Sequence, residues 1–288
     1  MANSGDLDLA EIEGLVCLLT DRIDRPLLAA MPRLRFVSSI SVGVDHVDVA
    51  ALSERAIPLG HTPGVLVDTT ADIAFALLLA AARRVAEADR FIRAGQWRPE
   101  ERWAPDFFLG KDVSGATLGI LGLGDIGQAV ARRAAGFGMR LIGWTRSGRE
   151  VPGVESASFE DVLAQSDFLS VNVALTEDTL NLVDSAAIAR MKPGAVLVNT
   201  ARGGIVDEQA LAAALDSGQL YAAGIDVFER EPVPLDNPLL NHPRVVLAPH
   251  IGSATVRTRG AMVELAVANA LAALAGGAMP HCFNPQVY

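Results

Sequence analysis

Cysteine is nearly absent. Cys17 and Cys282 are the only two, one near each end of the chain, and they form no Cys-x-x-Cys pair. That excludes a disulfide framework, argues against a cysteine-based zinc site and fits a reducing compartment. Basic residues are in the minority: 24 Lys and Arg against 34 Asp and Glu leave a formal charge of −10. A nucleic-acid backbone needs clustered cations, so a DNA- or RNA-binding role is excluded. The acids are scattered and form no acidic tail. Long apolar runs are missing too. The stretches 73–82 and 261–275 are too short or too interrupted to cross a bilayer. Residues 1–14 are acidic and lack the basic and apolar regions of a signal peptide. A soluble, cytoplasmic protein without membrane partners is expected.

Half of the 288 residues are apolar, ordinary for a globular chain, and the length suggests about two domains. Apolar runs of strand length recur at 15–19, 34–40, 117–121, 140–144, 168–173, 195–199, 224–227 and 245–247. Helical patterns fall between them at 48–55, 126–137, 159–164, 185–190 and 207–217. One long apolar helix is predicted over 68–94, with Thr69 or Thr70 as its N-cap, and an Ala-rich one over 255–275. Between 96 and 110 runs a loop that carries Trp97, Trp103, Phe107 and Phe108 and is punctuated by Pro99 and Pro105. Strands alternating with helices imply parallel βαβ units, hence an α/β fold with doubly wound parallel sheets.

One turn in this series is chemically specific. Gly122-Leu123-Gly124-Asp125-Ile126-Gly127 is a G-x-G-x-x-G placed directly after a strand and directly before a helix. Gly122 permits the tight turn. Gly124 lets the backbone approach a pyrophosphate, and Gly127 lets the helix sit close to the strand. The helix start then turns its N–H groups and positive dipole end toward the phosphates. The competing reading is a Gly-rich turn that packs a helix without ligand. The next strand ends at Trp144, where a cofactor without a 2′-phosphate usually meets an acid for its ribose. Here Thr145, Arg146, Ser147 and Arg149 follow instead. Two cations and two hydroxyls suit a phosphate, so NADP(H) is the expected cofactor, with NAD(H) possible. NADH would leave Arg146 without an anion. The alternative is that Arg146 points into solvent and Glu150 reaches back to the ribose.

Three further segments carry a family likeness: 198–207 around Asn199, Arg202 and Asp207; 223–232 around Asp226 and Glu231; and 248–255 around His250 and Ser253. With the glycine turn, their order and spacing resemble the D-isomer-specific 2-hydroxyacid dehydrogenases. Segments 42–46, 62–70 and 250–259 look closest to glyoxylate/hydroxypyruvate reductases. The resemblance implies a Rossmann cofactor domain and a smaller flavodoxin-like substrate domain, with the active site in the cleft between them. The substrate domain is expected from residues 1–68 and 276–288. A bridging helix and interface loop would cover 69–98, the dinucleotide-binding domain 99–254, and a return helix 255–275. The first strand matches the family's second, so the substrate domain is expected to be shortened at its start, either because the domain is reduced or because the chain start is curtailed.

The reaction so implied is reduction of a small 2-keto acid, glyoxylate or hydroxypyruvate, to the 2-hydroxy acid. It calls for no metal. A group must supply a proton to the carbonyl oxygen near neutral pH, and the match gives His250. Glu231 would hold the imidazole and favour its protonated form. Arg202 would grip the substrate carboxylate with a planar fork. The resemblance adds Asp226, Thr200, Ala201 and Ala174 along the nicotinamide side of the cofactor. On the substrate side it adds the backbone N–H groups of Val42 and Gly43, the Ser253 side chain, and Phe107 reaching from a neighbouring subunit. A homodimer through the loop 97–108 and the bridging helix is expected, because Trp103, Phe107 and Phe108 would otherwise leave an apolar patch open. Two rivals stay open: another dehydrogenase of the family, for D-lactate, phosphoglycerate, formate or phosphite, or a non-catalytic dinucleotide-sensing protein of the corepressor type.

Overall fold

A computed structural model describes residues 8–100 and 103–288. The acidic start of the chain and residues 101–102 of the aromatic loop lie outside the described residues. The chain divides into two compact units. One is Val67–Ser253; the other joins the residues up to Leu66 with Ala254–Tyr288.

The smaller unit contains β1 (Gly14–Cys17), α1 (Arg25–Ala29), β2 (Phe36–Ser39), α2 (Val49–Glu54) and β3 (Leu59–Gly60). The strands form a parallel three-stranded sheet in the order β1-β2-β3. The first helix was not foreseen, although its signals are present: Asp24 caps it by accepting from Leu27 N–H, and Pro26 sits in its first turn. The helix expected as a separate return connection, Val256–Leu274, belongs to this unit and packs on its sheet. Within that helix Asn269 fixes the chain after β3. Its amide donates to the His61 carbonyl at 3.0 Å and its oxygen accepts from His281 N–H at 2.9 Å.

The larger unit begins with α3 (Val67–Ala82) and α4 (Val85–Arg93). The single helix expected over 68–94 is therefore two, and Thr69 and Thr70 lie inside α3 rather than capping it. The break falls at Arg84. Arg84 adopts a left-handed φ of 56°, and its guanidinium turns back onto Glu87 at 2.6 and 2.8 Å. The Ala82 carbonyl, which a continuous helix would use internally, accepts from Lys111 N–H instead.

Then follow β4 (Thr117–Leu121), α5 (Asp125–Ala135), β5 (Arg140–Trp144), β6 (Glu155–Ser156), α6 (Phe159–Gln165), β7 (Phe168–Val171), α7 (Ser185–Arg190), β8 (Ala195–Asn199), α8 (Glu208–Asp216), β9 (Leu220–Ile225) and β10 (Val245–Leu247). The strand predicted at 224–227 begins earlier, at Leu220, and the one predicted over 168–173 stops at Val171. The long helix Val256–Leu274 is α9, and among the described residues the elements are α1–α9 and β1–β10 in chain order. Seven strands pair in parallel in the order β10-β9-β8-β7-β4-β5-β6. Side chains alternate between two cores. Val196 and Val198 of β8 face the layer holding α3 and α5, whereas Ala195 and Leu197 face the layer holding α6, α7 and α8. Each fully buried Leu, Ile or Phe of this sandwich contributes about 1.5–3 kcal/mol.

No helix of the described residues is long and apolar enough to cross a membrane. One close backbone approach is at Gly127, where an added Cβ would lie 2.0 Å from the Gly122 carbonyl oxygen. Backbone cannot give way there as a flexible side chain could. Gly127→Ala is therefore expected to cost about 1–3 kcal/mol, read as a fall of about 2–12 °C in thermal midpoint for a unit of this size. An unchanged midpoint would mean that the helix does not sit this close to the turn.

Candidate active site

In a parallel sheet every strand ends on the same edge, and the expected site residues of the larger unit lie along that edge. The glycine turn follows β4, Thr145–Ser147 follow β5, Ala174 follows β7, Arg202 follows β8, Glu231 follows β9 and His250 follows β10. The connections change direction at β4. From there the chain proceeds to β5 and β6 on one side and to β7, β8, β9 and β10 on the other. A crevice at such a switch point is where open α/β sheets take a dinucleotide.

The geometry there fits such a group. Gly122 has a φ of 93° and donates its N–H to the Trp144 carbonyl at 2.9 Å. Asp24, Asp48, Ser158, Asp184, Asp207 and Thr255 cap their helices with side-chain oxygens. α5 starts instead on Gly124, with no side-chain cap. The N–H groups of its first turn, from Asp125, Ile126 and Gly127, are thus left for another acceptor. A Cβ at Gly124 would meet nothing within 4 Å, so the turn is open where a phosphate would approach. Asn172 Oδ1 and Thr200 Oγ1, just past β7 and β8, are buried without a hydrogen-bond partner among the described residues. Two polar atoms left so beside the switch point suit a polar ligand, because burial without a partner is costly.

The nicotinamide side expected from the resemblance is tightly tied. Asn199 accepts from Ala201 N–H at 3.0 Å and donates to the Arg202 carbonyl at 2.8 Å. Arg202 in turn donates from Nη1 to the Ala201 carbonyl at 2.9 Å. Asp226 is 1 % exposed and accepts from Ile251 and Gly252 N–H, both at 2.8 Å. Burial pushes its carboxyl above the ordinary range, against the two backbone donors and the His250 charge. His250 itself has a left-handed φ of 54°, rare for a residue with a Cβ, and its N–H donates to the Asp226 carbonyl at 2.8 Å.

His250 Nδ1 lies 2.7 Å from Glu231 Oε2, and Glu231 Oε1 accepts from Phe228 N–H at 3.0 Å. Burial raises the Glu231 carboxyl. The His250 and Phe228 hydrogen bonds, with the charges of His250 and Arg202, outweigh it and hold it below the ordinary carboxylate range. Against an ionised carboxylate, Nδ1 carries the proton and donates, which leaves Nε2 to face a reactant. Glu208, which the sequence did not single out, orders the same loop. Its Oε1 accepts from Glu229 N–H at 2.7 Å and its Oε2 accepts from the Asn237 amide.

Other expected residues are less closely joined. Arg146 Nη1 lies 3.2 Å from Asp178 Oδ2, so the expectation that it lacks an anion when no phosphate is bound is corrected. That acid comes from a different strand end, which is why a scan of the residues just after Trp144 missed it. Thr145 Oγ1 accepts from Arg149 N–H at 2.9 Å, and Ser147 is exposed at the turn tip. Ala174 is exposed, and its carbonyl accepts from Thr179 Oγ1. Phe107 packs in its own chain against Phe91 and Phe108, with ring centroids 6.0 and 4.9 Å away. Ser253 is half-buried at the last position of the larger unit. Val42 and Gly43 lie in the smaller unit, after β2, where the Val42 carbonyl meets His61 Nδ1 at 3.2 Å and the Gly43 carbonyl accepts from Ser41 Oγ at 2.7 Å.

Comparison with known proteins agrees with this architecture. The family pattern described as D-isomer specific 2-hydroxyacid dehydrogenase, NAD binding domain, matches residues 75–252. A glyoxylate reductase of Korarchaeum cryptofilum is 49 % identical over 281 residues, spanning 96 % of this chain and 84 % of that protein. A glyoxylate/hydroxypyruvate reductase B of Yersinia enterocolitica is 46 % identical over 284 residues, 97 % of this chain and 86 % of its own. Among solved structures, an NADPH-dependent glyoxylate/hydroxypyruvate reductase from Sinorhizobium meliloti, in complex with NADP and malonate, superposes with a TM-score of 0.90 at 36 % identity. It covers 98 % of this chain and 86 % of that one. With a glycine turn at the switch point and a paired Glu and His on the same sheet edge, the chain belongs to the D-isomer specific 2-hydroxyacid dehydrogenases, oxidoreductases with an NAD-binding domain.

Proposed function

We propose that the protein reduces glyoxylate or hydroxypyruvate to glycolate or D-glycerate, with NADPH preferred over NADH. The observation that carries this reading is the 2.7 Å pairing of His250 with Glu231, whose carboxylate also feels the Arg202 charge. The set joins a proton donor, the carboxylate that orients it and a carboxylate-binding cation. Names of similar proteins favour the same substrates, and the S. meliloti relative favours NADPH.

In this reading Gly122, Gly124, Asp125, Ile126 and Gly127 hold the pyrophosphate through backbone. Thr145, Arg146 and Ser147 receive the 2′-phosphate, while Ala174, Thr200, Ala201 and Asp226 line the nicotinamide side. The bound cofactor supplies a hydride to the carbonyl carbon of the keto acid. Arg202 holds the substrate carboxylate in its planar fork and draws charge toward the ketone oxygen. The N–H groups of Val42 and Gly43 are proposed as a second grip on that carboxylate, with Ser253 and Phe107 shaping the substrate side. As charge grows on the ketone oxygen, His250 Nε2 delivers its proton and the 2-hydroxy acid results. Glu231 keeps the ring oriented and offsets the imidazolium charge. The domain roles follow: the larger unit takes the cofactor and the smaller one serves the substrate.

We also propose a two-fold dimer through α4 and the loop 97–108. Val85, Ile92, Trp97 and Trp103 are exposed there, Trp103 at 81 %. Beside them Phe91, Phe108, Leu240 and Val246 line a hollow of about 560 Å³. So much apolar surface is unusual on a monomer.

Steady-state assays of glyoxylate, hydroxypyruvate, pyruvate and phosphohydroxypyruvate, each with NADH and NADPH, test the substrate reading. The highest kcat/KM is expected for glyoxylate or hydroxypyruvate with NADPH; a higher value for pyruvate or phosphohydroxypyruvate would overturn it. His250→Ala should lower kcat by about 10²–10⁴ with cofactor binding intact. Near-normal turnover would remove His250 from the reaction. Arg202→Lys should raise KM and lower kcat together, since an ammonium cannot form the fork.

The depressed Glu231 carboxyl has a signed consequence for stability. A lowered folded-state pKa contributes stability in full above the ordinary carboxylate range and loses it as pH falls through the depressed value. The thermal midpoint of Glu231→Gln should therefore lie furthest below that of the parent near neutral pH, and the gap should narrow between about pH 5 and pH 3. A gap independent of pH would show that the charge of Glu231 is not what stabilises the loop. For the assembly, light scattering at micromolar concentration should give a dimer, and Ile92→Asp with Trp103→Asp should give a monomer. A parent monomer, or a double variant that stays dimeric, would contradict the interface.

A further inference from the structure

We propose that Asp178 is a specificity-determining residue of the cofactor site, a competing anion that holds Arg146 back from a 2′-phosphate. The inference rests on the reading that Arg146 receives that phosphate. Two independently built loops bring the pair together. On one side Gly148 N–H donates to the Thr145 carbonyl at 3.1 Å, Arg149 N–H donates to Thr145 Oγ1, and Gly148 takes a φ of 65°. That turn displays Arg146 and Ser147 at its tip, both exposed. On the other side the 3-10 turn Glu177–Thr179 is fixed without help from Arg146. Thr179 is buried, its Oγ1 donates to the Ala174 carbonyl at 2.7 Å, and the same oxygen accepts from Thr176 N–H at 2.7 Å. The Asp178 carboxylate is thereby held 3.2 Å from Arg146 Nη1.

The chemistry at this spot differs between the two cofactors. A 2′-phosphate brings nearly two negative charges to a guanidinium that already faces a carboxylate, so two anions compete for one cation. NADH brings a neutral ribose diol, which repels no carboxylate and can donate to one. β5 is not followed by the acid that ordinarily accepts from the ribose, whereas Asp178, in the turn after β7, places a carboxylate 3.2 Å from Arg146 in the turn after β5. The Arg146 and Asp178 side chains are 70 % and 77 % exposed. A pair so open to water is weak enough for a phosphate to displace. Asp178 thus narrows the preference for NADPH without abolishing it.

The test is direct binding to the intact protein, by calorimetry at low ionic strength, of NADPH, NADH, 2′,5′-ADP and 5′-ADP. Asp178→Asn should tighten NADPH and 2′,5′-ADP about two- to fivefold, the range of one exposed ion pair, and leave NADH and 5′-ADP unchanged or weaker. In an Arg146→Ala background the same substitution should give no gain. Glu177→Gln, which removes a neighbouring acid of the same turn, should give less gain than Asp178→Asn; an equal gain would show a diffuse field and overturn the specific role. If Arg146→Ala weakens 2′,5′-ADP but Asp178→Asn changes nothing, the inference about Asp178 fails and the cofactor reading stands. If Arg146→Ala leaves NADPH and 2′,5′-ADP unaffected, the cofactor reading itself fails.

Discussion

One buried aspartate ties the proposed catalytic edge together. Asp226 sits where β9 ends, and its N–H donates to the Asn199 carbonyl at the end of β8. Its own carbonyl and side chain receive His250, Ile251 and Gly252, the residues that follow β10. Three strand ends are therefore joined through one residue. The tie extends to the functional groups at one remove, because Asn199 holds the Arg202 backbone while Asp226 holds that of His250. It also explains how His250 keeps a left-handed backbone at a cost of order 1 kcal/mol or more. The hydrogen bonds on both sides over-determine that conformation, and the ring is delivered to Glu231 as a result.

Parallel pairing makes such a tie possible. Antiparallel neighbours would send alternate loops to opposite edges, whereas here all the loops of the larger unit that follow strands leave together. The glycine turn at β4 and the Glu231–His250 pair near β10 lie several strands apart on the same edge. An extended two-part ligand suits that separation better than a compact one. The absence of a side-chain cap on α5, against capped starts on most other helices, completes the argument. The fold leaves N–H groups unpaired by side chains where an anion can take them.

Much of this was legible because the signals were local. The G-x-G-x-x-G turn needs only its own six residues and the flanking strand and helix, and the Glu231 and His250 segments stood out through their resemblance to a known family. Where a decisive partner was distant in sequence, the reading failed. The apolar pattern of α3 continues toward α4, and nothing local shows that Lys111 takes the Ala82 carbonyl and lets the chain turn at Arg84. Asp178 is 32 residues from Arg146, and only the adjacency of β5, β4 and β7 in the sheet brings the two ends together. Asn199 lies in one of the family-like segments, yet its work on Ala201 and Arg202 depends on side-chain direction, which spacing does not give.

The loop that carries Glu231, the proposed partner of His250, shows how burial alone does not decide ionisation. Glu208 and Glu231 both order it, and burial pushes both carboxyls upward. For Glu208 the donors are uncharged, the Glu229 N–H and the Asn237 amide, and the neighbouring charges of Glu229 and Asp207 are of like sign. Its carboxyl ends above the ordinary range, so the fold favours the protonated form and loses stability from this group as pH rises through that range. For Glu231 the surrounding charges include His250 and Arg202, which reverse the balance. The acid that burial makes harder to ionise, Glu208 at the start of α8, accepts from the loop backbone and serves as structure. The acid held ionised stands against the imidazole, where a fixed negative charge is what a proton donor requires.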